Sequence, residues 1–150
     1  MSKQKIFYPL VLFVSNFSDK KQFAEIAWGK IKDKFRELNQ FECPNLIIKN
    51  YLEYNSKKME LDSLCRKFKN KLLPVAISEE DNADSPSFER TLMNIITNYN
   101  VIGIICSSKS KNAKKIVEYL GPRGIPTLFT VASNTDLFPR NKKVNANFLR

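Results

Sequence analysis

Histidine is absent from the 150 residues of the chain. Without it, the protein lacks the commonest general base, metal ligand and proton shuttle. Ser-His-Asp triads, H-E-x-x-H zinc sites and deaminase-type zinc centres are therefore excluded. The sequence also has no glycine-rich phosphate loop and no G-x-S-x-G motif, so nothing in it supports a hydrolase or a flavodoxin-like enzyme. We predict a protein that is not an enzyme and that holds no metal or cofactor.

Cysteine is scarce, and long apolar runs are missing. The three cysteines, Cys43, Cys65 and Cys106, are an odd number, far apart and without a C-x-x-C pair. This favours a reducing compartment, hence a cytoplasmic location, over a disulfide framework, while an extracytoplasmic location stays open. Cys106 lies in an apolar run and is predicted to be a core residue. No run approaches the ~20 apolar residues of a membrane span, so we expect no span in this chain.

Basic residues outnumber acidic ones, 25 to 15, which gives a formal net charge of +10. Lysine supplies 19 of the basic residues and arginine only 6, and they are mixed with acids and not grouped beside aromatic residues. This pattern indicates a solvated, lysine-rich surface. A basic module that binds nucleic acid or a protein partner is the alternative, and its candidate residues are the lysines of 19–39 and 56–71.

The first residues allow two interpretations. A charged start is followed by the apolar run 6–14, an arrangement found both in signal peptides and in buried strands. No small-residue A-x-A cleavage pattern follows the run. We therefore predict a buried strand over 9–14.

Strand and helix patterns alternate along the chain. The predicted strands are 9–14, 45–51, 73–77, 101–106 and 125–129, with a further strand start at 144–149; the predicted helices are 19–39, 56–70, one opening at Ser85-Pro86, and 113–120. Continuous apolar strands that are each followed by a helix imply a parallel sheet covered on both faces. The predicted fold is a three-layer α/β domain with a mostly parallel, Rossmann-like sheet and right-handed crossovers.

Apolar stripes predict which sides of the first two helices are buried. The stripe of the first helix has steps of three and four and consists of Phe23, Ala27, Ile31, Phe35 and Leu38. The stripe of the second helix consists of Met59, Leu61, Leu64 and Phe68. Trp28 and Tyr99 are predicted to be packing residues.

The segments that follow the predicted strands are rich in small hydroxyl groups, and they lie at the edge where open α/β sheets bind ligands. They are Ser15, Asn16 and Ser18, then 78–81, 106–110 and 130–134. The stretch 107–110 opens a helix, whose free N–H groups and dipole favour an anion such as a carboxylate. Serine and asparagine are also ordinary turn and capping residues, so a simple helix cap at Ser110 with Lys109 in solvent is the alternative. The acids 79–81 allow a metal site or paired carboxylates, although adjacent acids in a loop are more commonly solvated.

Several segments in the second half of the chain resemble one family when taken in order. They are 101–113, with Val-Ile-Gly-Ile-Ile-Cys-Ser-Ser-Lys-Ser-Lys-Asn-Ala, then 119–120, 124–137 and 147–150. Together they resemble the first lobe of type I periplasmic ligand-binding proteins, in particular the branched-chain amino acid-binding branch and related receptor ligand-binding domains. The family pattern there is a strand ending in Gly-Pro, a Ser-Ser pair, a helix, Gly-Ile-Pro, a strand, Ala-Thr and an approach to Phe-Arg.

The resemblance implies a set of ligand-binding residues. Ser110 falls on the second serine of the family's pair and Lys109 replaces the first, while Ala132 and Ser133 fall on the Ala-Thr. In the family these positions hold the carboxylate and amino groups of an amino-acid-like ligand. Ser15 falls near the first-strand loop that faces the cleft. The implied function is binding of a small polar ligand, or sensing of it, by one lobe of a two-lobe clamp.

The resemblance also implies a domain organisation. It covers about 74–150 well and 1–40 loosely, whereas 41–72 looks like an inserted strand-helix unit within a single lobe. The second family strand is either 45–51 or 73–77, and the acidic loop after the latter favours it. A second lobe, or a fused signalling or transport domain, is the implied partner.

Overall fold

The computed structural model describes residues 6–18, 23–79, 86–107, 110–130 and 148–149. Strands and helices alternate along these residues. The elements are β1 (Ile6–Ser15), α1 (Phe23–Asn39), β2 (Ile47–Ile48), α2 (Tyr51–Lys67), β3 (Leu73–Ser78), α3 (Pro86–Asn98), β4 (Tyr99–Ser107), α4 (Ser110–Leu120), a 3-10 turn (Gly121–Arg123), β5 (Thr127–Phe129) and β6 (Phe148–Leu149).

The strands form one six-stranded sheet in the order β2-β3-β1-β4-β5-β6, and every neighbouring pair is parallel. This confirms the predicted α/β class with a Rossmann-like parallel sheet. The predicted insertion, 41–72, contains β2 and α2. The strand order places β3 beside β1, and β2 lies beyond β3 at the sheet edge.

The apolar N-terminal run is a central strand of this sheet. Residues 10–14 of β1 are at most 9% exposed, because β3 and β4 flank the strand and helices cover it. A strand that is buried on both faces needs apolar residues at successive positions, not at alternate ones. The prediction of a buried strand over 9–14 is confirmed.

Alternate residues of β1 separate the two faces of the sheet. Leu10, Leu12 and Val14 belong to a large core shared with α2, α3 and α4. Phe13 belongs to a small core with Trp28 of α1 and Ala76 of β3. The chain therefore places α1 on one face as it moves toward β2, and the other three helices on the opposite face as it returns toward β5. Crossovers of one hand produce this distribution.

The boundary between β2 and α2 differs from the prediction. We expected a strand over 45–51 and a helix from 56, but β2 has only two residues and α2 begins at Tyr51. The side chain of Asn50 accepts a hydrogen bond from the backbone N–H of Glu53 at 2.8 Å. This N-cap satisfies a free amide of the first turn and starts the helix early.

The buried sides of both helices agree with the prediction in part. In α1 the predicted Ala27 and Ile31 pack against the core, but the buried residues are Ala24 and Trp28, and Phe23 and Leu38 are 63% and 70% exposed. In α2 Leu61 is buried as predicted, as is Phe68 at its end, whereas Met59 is 85% exposed. Tyr54 and Cys65 are buried too. The large rings of Trp28 and Tyr54 occupy much of the core side of the two helices.

Candidate functional site at the carboxyl edge of the sheet

Three serines stand side by side where the central strands end. Ser15, the last residue of β1, is in register with Ser78 of β3 on one side and with Ser107 of β4 on the other. Each of these serines is the last residue of its strand. The carboxyl ends of parallel strands are where open α/β sheets bind ligands.

Hydrogen bonds hold the ends of β1, β3 and β4 together. The Ser15 hydroxyl donates to the carbonyl oxygen of Ser107 at 3.2 Å. The Ser78 hydroxyl accepts from the amide of Phe17 at 3.1 Å and donates to the carbonyl oxygen of Glu79 at 3.2 Å. The amide of Glu79 in turn donates to the carbonyl oxygen of Ser15 at 2.9 Å. Ser15 and Ser78 are buried, so their first role at this edge is to fix the backbone from which the loops depart.

The loop after β1 is folded down onto the sheet. The Asn16 side-chain oxygen accepts from the amide of Ser18 at 2.9 Å, which forms an Asx turn. The ring of Phe17 meets that of Phe13 edge to face, with centroids 6.0 Å apart. The first three residues after β1 are thereby held close to the carboxyl ends of its neighbours.

A topological switch point lies between β1 and β4. The helix that follows β1 lies on one face of the sheet, and the helix that follows β4 lies on the other. In open α/β sheets the two connections diverge at such a point, and ligands usually bind outside the strand ends there. Ser15 and Ser107 are the last residues of the two strands at this point, and α4 begins at Ser110.

Only part of the predicted site lies within the described residues. Ser15 lies at the switch point, and Ser110 is the first residue of α4. For Ser110 only the backbone is described. The side chain of Ser110, with Lys109, Ala132 and Ser133, falls outside the residues whose placement the structure describes. Their assignment to the ligand site stays a prediction.

The structure adds one residue that the sequence analysis assigned to solvent. Glu79, the first of the three acids after β3, is only 2% exposed. The adjacent strand residue, Ser78, is buried too, so β3 carries Glu79 into the edge instead of releasing it into a loop. The acidic residues that follow Glu79 in the sequence gave no sign that it is buried. Its position directly after the apolar strand β3 did indicate burial.

Cysteines and acids in the described part of the chain do not form a metal site. No group of three or more of the metal-ligating types His, Cys, Asp and Glu occurs among these residues. The three cysteines are free thiols, and Cys65 and Cys106 are buried. The prediction that Cys106 is a core residue is confirmed, as are the packing roles of Trp28 and Tyr99. No helix in the same residues is long and apolar enough to cross a membrane.

A shallow cleft of about 370 Å³ lies at the end of α1, far from the carboxyl edge. Its lining residues are Arg36, Glu37, Gln40, Phe41 and Glu42. Beside it, the ring of Phe41 has the ammonium nitrogens of Lys67 and Lys71 each 5.5 Å from its centroid. This cation–π cluster places two positive charges around one aromatic ring at the opposite end of the sheet.

Comparisons of this chain with protein-family models, with curated proteins and with solved structures find no match. The described residues thus establish a parallel α/β fold with a serine-lined switch point, and function has to be inferred from that site and not from the fold.

Proposed function

We propose that the chain is a non-enzymatic binding module for a small, carboxylate-bearing, amino-acid-like ligand, held at the switch point between β1 and β4. The observation that supports this most strongly is the in-register pair Ser15 and Ser107 at the switch point, with α4 opening beside it at Ser110. Ligand position in parallel sheets follows from this topology.

The chemistry of the edge suits a ligand with both signs of charge. The N-terminus of α4 presents free backbone N–H groups and the positive end of a helix dipole, which favour a carboxylate. Glu79 adds an acidic side chain to the same edge, which favours the ammonium end of such a ligand. With no histidine in the chain, these groups bind and orient but supply no general base of the usual kind.

The remaining ligand contacts come from the resemblance to type I periplasmic ligand-binding proteins. In this proposal Ser110 and Ser133 supply hydroxyls, Ala132 supplies backbone groups, and Lys109 adds a positive charge for an acidic ligand. Ser15 supports the strand ends at the switch point. A second lobe, or a fused signalling or transport domain, closes over the ligand, so that binding shifts a population between open and closed states without bond chemistry.

A thermal-shift screen followed by calorimetry tests this proposal. The purified chain is tested against amino acids and small carboxylates, together with Ser133→Leu and Ser110→Ala. The control is Ser56→Ala, an exposed serine on α2 remote from the edge. We expect one ligand class to raise the melting temperature of the wild type and of Ser56→Ala, and the effect to be lost in the two site variants. A cooperative melt with no response to any ligand contradicts the proposal.

The Phe41 cluster favours a second candidate, a basic module that binds nucleic acid. Two lysines on one aromatic ring combine phosphate-neutralising charge with a stacking surface. A fluorescent single-stranded oligonucleotide at low ionic strength is the probe, with Lys67→Gln/Lys71→Gln as the variant. Lys49→Gln/Lys114→Gln, two exposed lysines outside 19–39 and 56–71, is the control. Salt-sensitive binding that only the first pair weakens supports this function; no binding at low salt eliminates it.

A further inference from the structure

The chain segments that follow α1 and α2 are fixed against each other. The side chain of Asn39, the last residue of α1, donates to the carbonyl oxygen of Leu72 at 2.8 Å and accepts from its amide at 3.1 Å. The ring of Phe41 meets that of Phe68 edge to face, with centroids 5.1 Å apart. Phe41 is thereby shared between the cleft at the end of α1 and the residues that end α2.

The α2 side of this junction is basic. The run 66–71 contains Arg66, Lys67, Lys69 and Lys71 and no acidic residue. Two of these cations, Lys67 and Lys71, lie 5.5 Å from the centroid of the Phe41 ring. Cations of this kind neutralise phosphates and supply affinity for nucleic acid, but phosphate contacts carry no information about the base sequence.

The α1 side of the junction is rich in hydrogen-bond acceptors. Glu42, which lines the cleft, is exposed and forms no ion pair with any residue that the structure describes. The side-chain nitrogen of Gln40 donates to the carbonyl oxygen of Glu37 at 2.9 Å, so the oxygen of the same amide is left as an acceptor. The basic side chain of the lining, Arg36, lies 3.4 Å from Asp33, which already engages it.

We propose that this cleft receives a nucleobase and prefers cytosine and adenine, whose exocyclic amino groups donate hydrogen bonds, over thymine and uracil. The inference rests on the nucleic-acid function and names the bases that the same surface would select. A glutamate carboxylate accepts from the amino group of cytosine, whereas thymine and uracil present an acceptor oxygen at the same ring position.

The position of Glu42 beside the cations gives the two charges separate roles. Lys67 and Lys71 attract the backbone of any strand, while the Glu42 carboxylate opposes a base that presents only an acceptor there. Selectivity of this kind comes from a repulsive contact with the wrong base as much as from an attractive contact with the right one. The cleft volume of about 370 Å³ lies within the range of small-molecule sites.

Two fluorescent single strands of equal length, oligo(dC) and oligo(dU), test the proposal by anisotropy at low ionic strength. Their bases are pyrimidines of one size that differ in carrying an amino group or an oxygen at the same ring position. The variants are Glu42→Gln and Lys67→Gln/Lys71→Gln. The control is Glu60→Gln, because Glu60 is an exposed acid of α2 that does not line the cleft.

We expect the wild type and Glu60→Gln to bind oligo(dC) roughly fivefold more tightly than oligo(dU). Glu42→Gln should bring the ratio of the two dissociation constants close to unity, because a glutamine amide can donate to the uracil oxygen as well as accept from the cytosine amino group. Lys67→Gln/Lys71→Gln should weaken the binding of both strands by the same factor and leave the ratio unchanged.

The outcomes separate this inference from the function on which it rests. If the wild type binds both strands equally and the lysine variant weakens both, the base preference is wrong and the nucleic-acid function stands. A cytosine preference that survives Glu42→Gln also overturns the inference, because the cleft then does not read the base. If neither strand binds at low salt, the nucleic-acid function fails and the inference fails with it.

Discussion

The hydroxyl of Ser15 donates a hydrogen bond to the carbonyl oxygen of Ser107 at 3.2 Å, joining β1 to β4 where the two strands end. Beyond this point their connections run to opposite faces of the sheet. The bond therefore fixes the two strand ends beside the position that we assign to the ligand. Its partner carbonyl is part of the last register pair between the strands.

Ser15→Ala should destabilise the protein by about 0.5–1.5 kcal/mol, because a partly buried hydrogen bond is lost. Ser56→Ala is the matched control, since its hydroxyl bonds to the carbonyl oxygen of Glu53 at an exposed helix position. Alanine has the higher helix propensity, so this control should be neutral or slightly stabilising. Urea denaturation compares the two. Equal losses in both variants would contradict a special role for the Ser15 bond.

Asn45→Ala should cost about 1–3 kcal/mol, because it leaves the buried Trp28 N–H without its acceptor. Lys32→Ala removes the second donor to the same oxygen, but at an exposed site, and should cost less than about 1 kcal/mol. Trp28 is the single tryptophan of the chain, so its fluorescence follows unfolding directly. A Lys32→Ala loss as large as that of Asn45→Ala would show that the buried indole does not depend on Asn45.

Leu61→Ala should cost about 2–5 kcal/mol, and Met59→Ala should stay within about 0.5 kcal/mol of the wild type. The two residues are neighbours in one predicted stripe, yet Leu61 is 0% and Met59 85% exposed. Thermal and urea denaturation of both variants measure the difference. A Met59→Ala loss of several kcal/mol would mean that this side of α2 is covered in solution.

Stability should fall as the pH rises above 9. Burial, with a smaller contribution from Asp62, raises the pKa of the Cys65 thiol from near 9 to about 12. Burial, followed by its hydrogen bond to Asp62, also raises the pKa of Tyr99. Each group ionises at a lower pH in the unfolded state than in the folded state, so above its ordinary pKa the unfolded state binds fewer protons. Each group then lowers the free energy of unfolding by up to ~1.4 kcal/mol per pH unit.

Urea midpoints at pH 8, 9 and 10 measure this dependence. The contribution of Cys65 is fully present below pH 9 and is lost between 9 and about 12. Cys65→Ala should therefore show a shallower fall than the wild type. A wild-type midpoint that stays constant over this range would contradict the burial of Cys65, whose ordinary pKa of 9 lies within it.

Prediction from sequence succeeded where one residue pattern had a single structural solution. The apolar runs of β1, β3 and β4 matched a parallel sheet because strands buried on both faces tolerate few polar residues. It succeeded only in part on the rotation of α1. Ala27 and Ile31 of the predicted stripe pack against the core, but Phe23 and Leu38 are exposed. The buried Trp28, which donates to Asn45, lay outside the predicted stripe. Asn45 is seventeen residues away, beyond the range of any helical period.

The candidate site was predictable in position and only partly in composition. Small polar residues after each predicted strand indicated a site at the carboxyl edge of the sheet, because the loops that follow parallel strands all begin at that edge. The register that aligns Ser78, Ser15 and Ser107 was not predictable, because it depends on pairing between strands far apart in sequence. Glu79 was assigned to solvent for the same reason, as its burial comes from neighbouring strands and not from its acidic neighbours.

The sequence by itself determined the α/β class, the parallel sheet and the absence of histidine chemistry, because local periodicity and composition express them directly. Only the tertiary structure decided the order β2-β3-β1-β4-β5-β6, and with it the switch point between β1 and β4. It also decided that Trp28 of α1 stacks on Phe13 of β1, while Leu128 of β5 is 39% exposed. Strand order and helix placement follow from contacts between distant residues, and those contacts have no period along the chain.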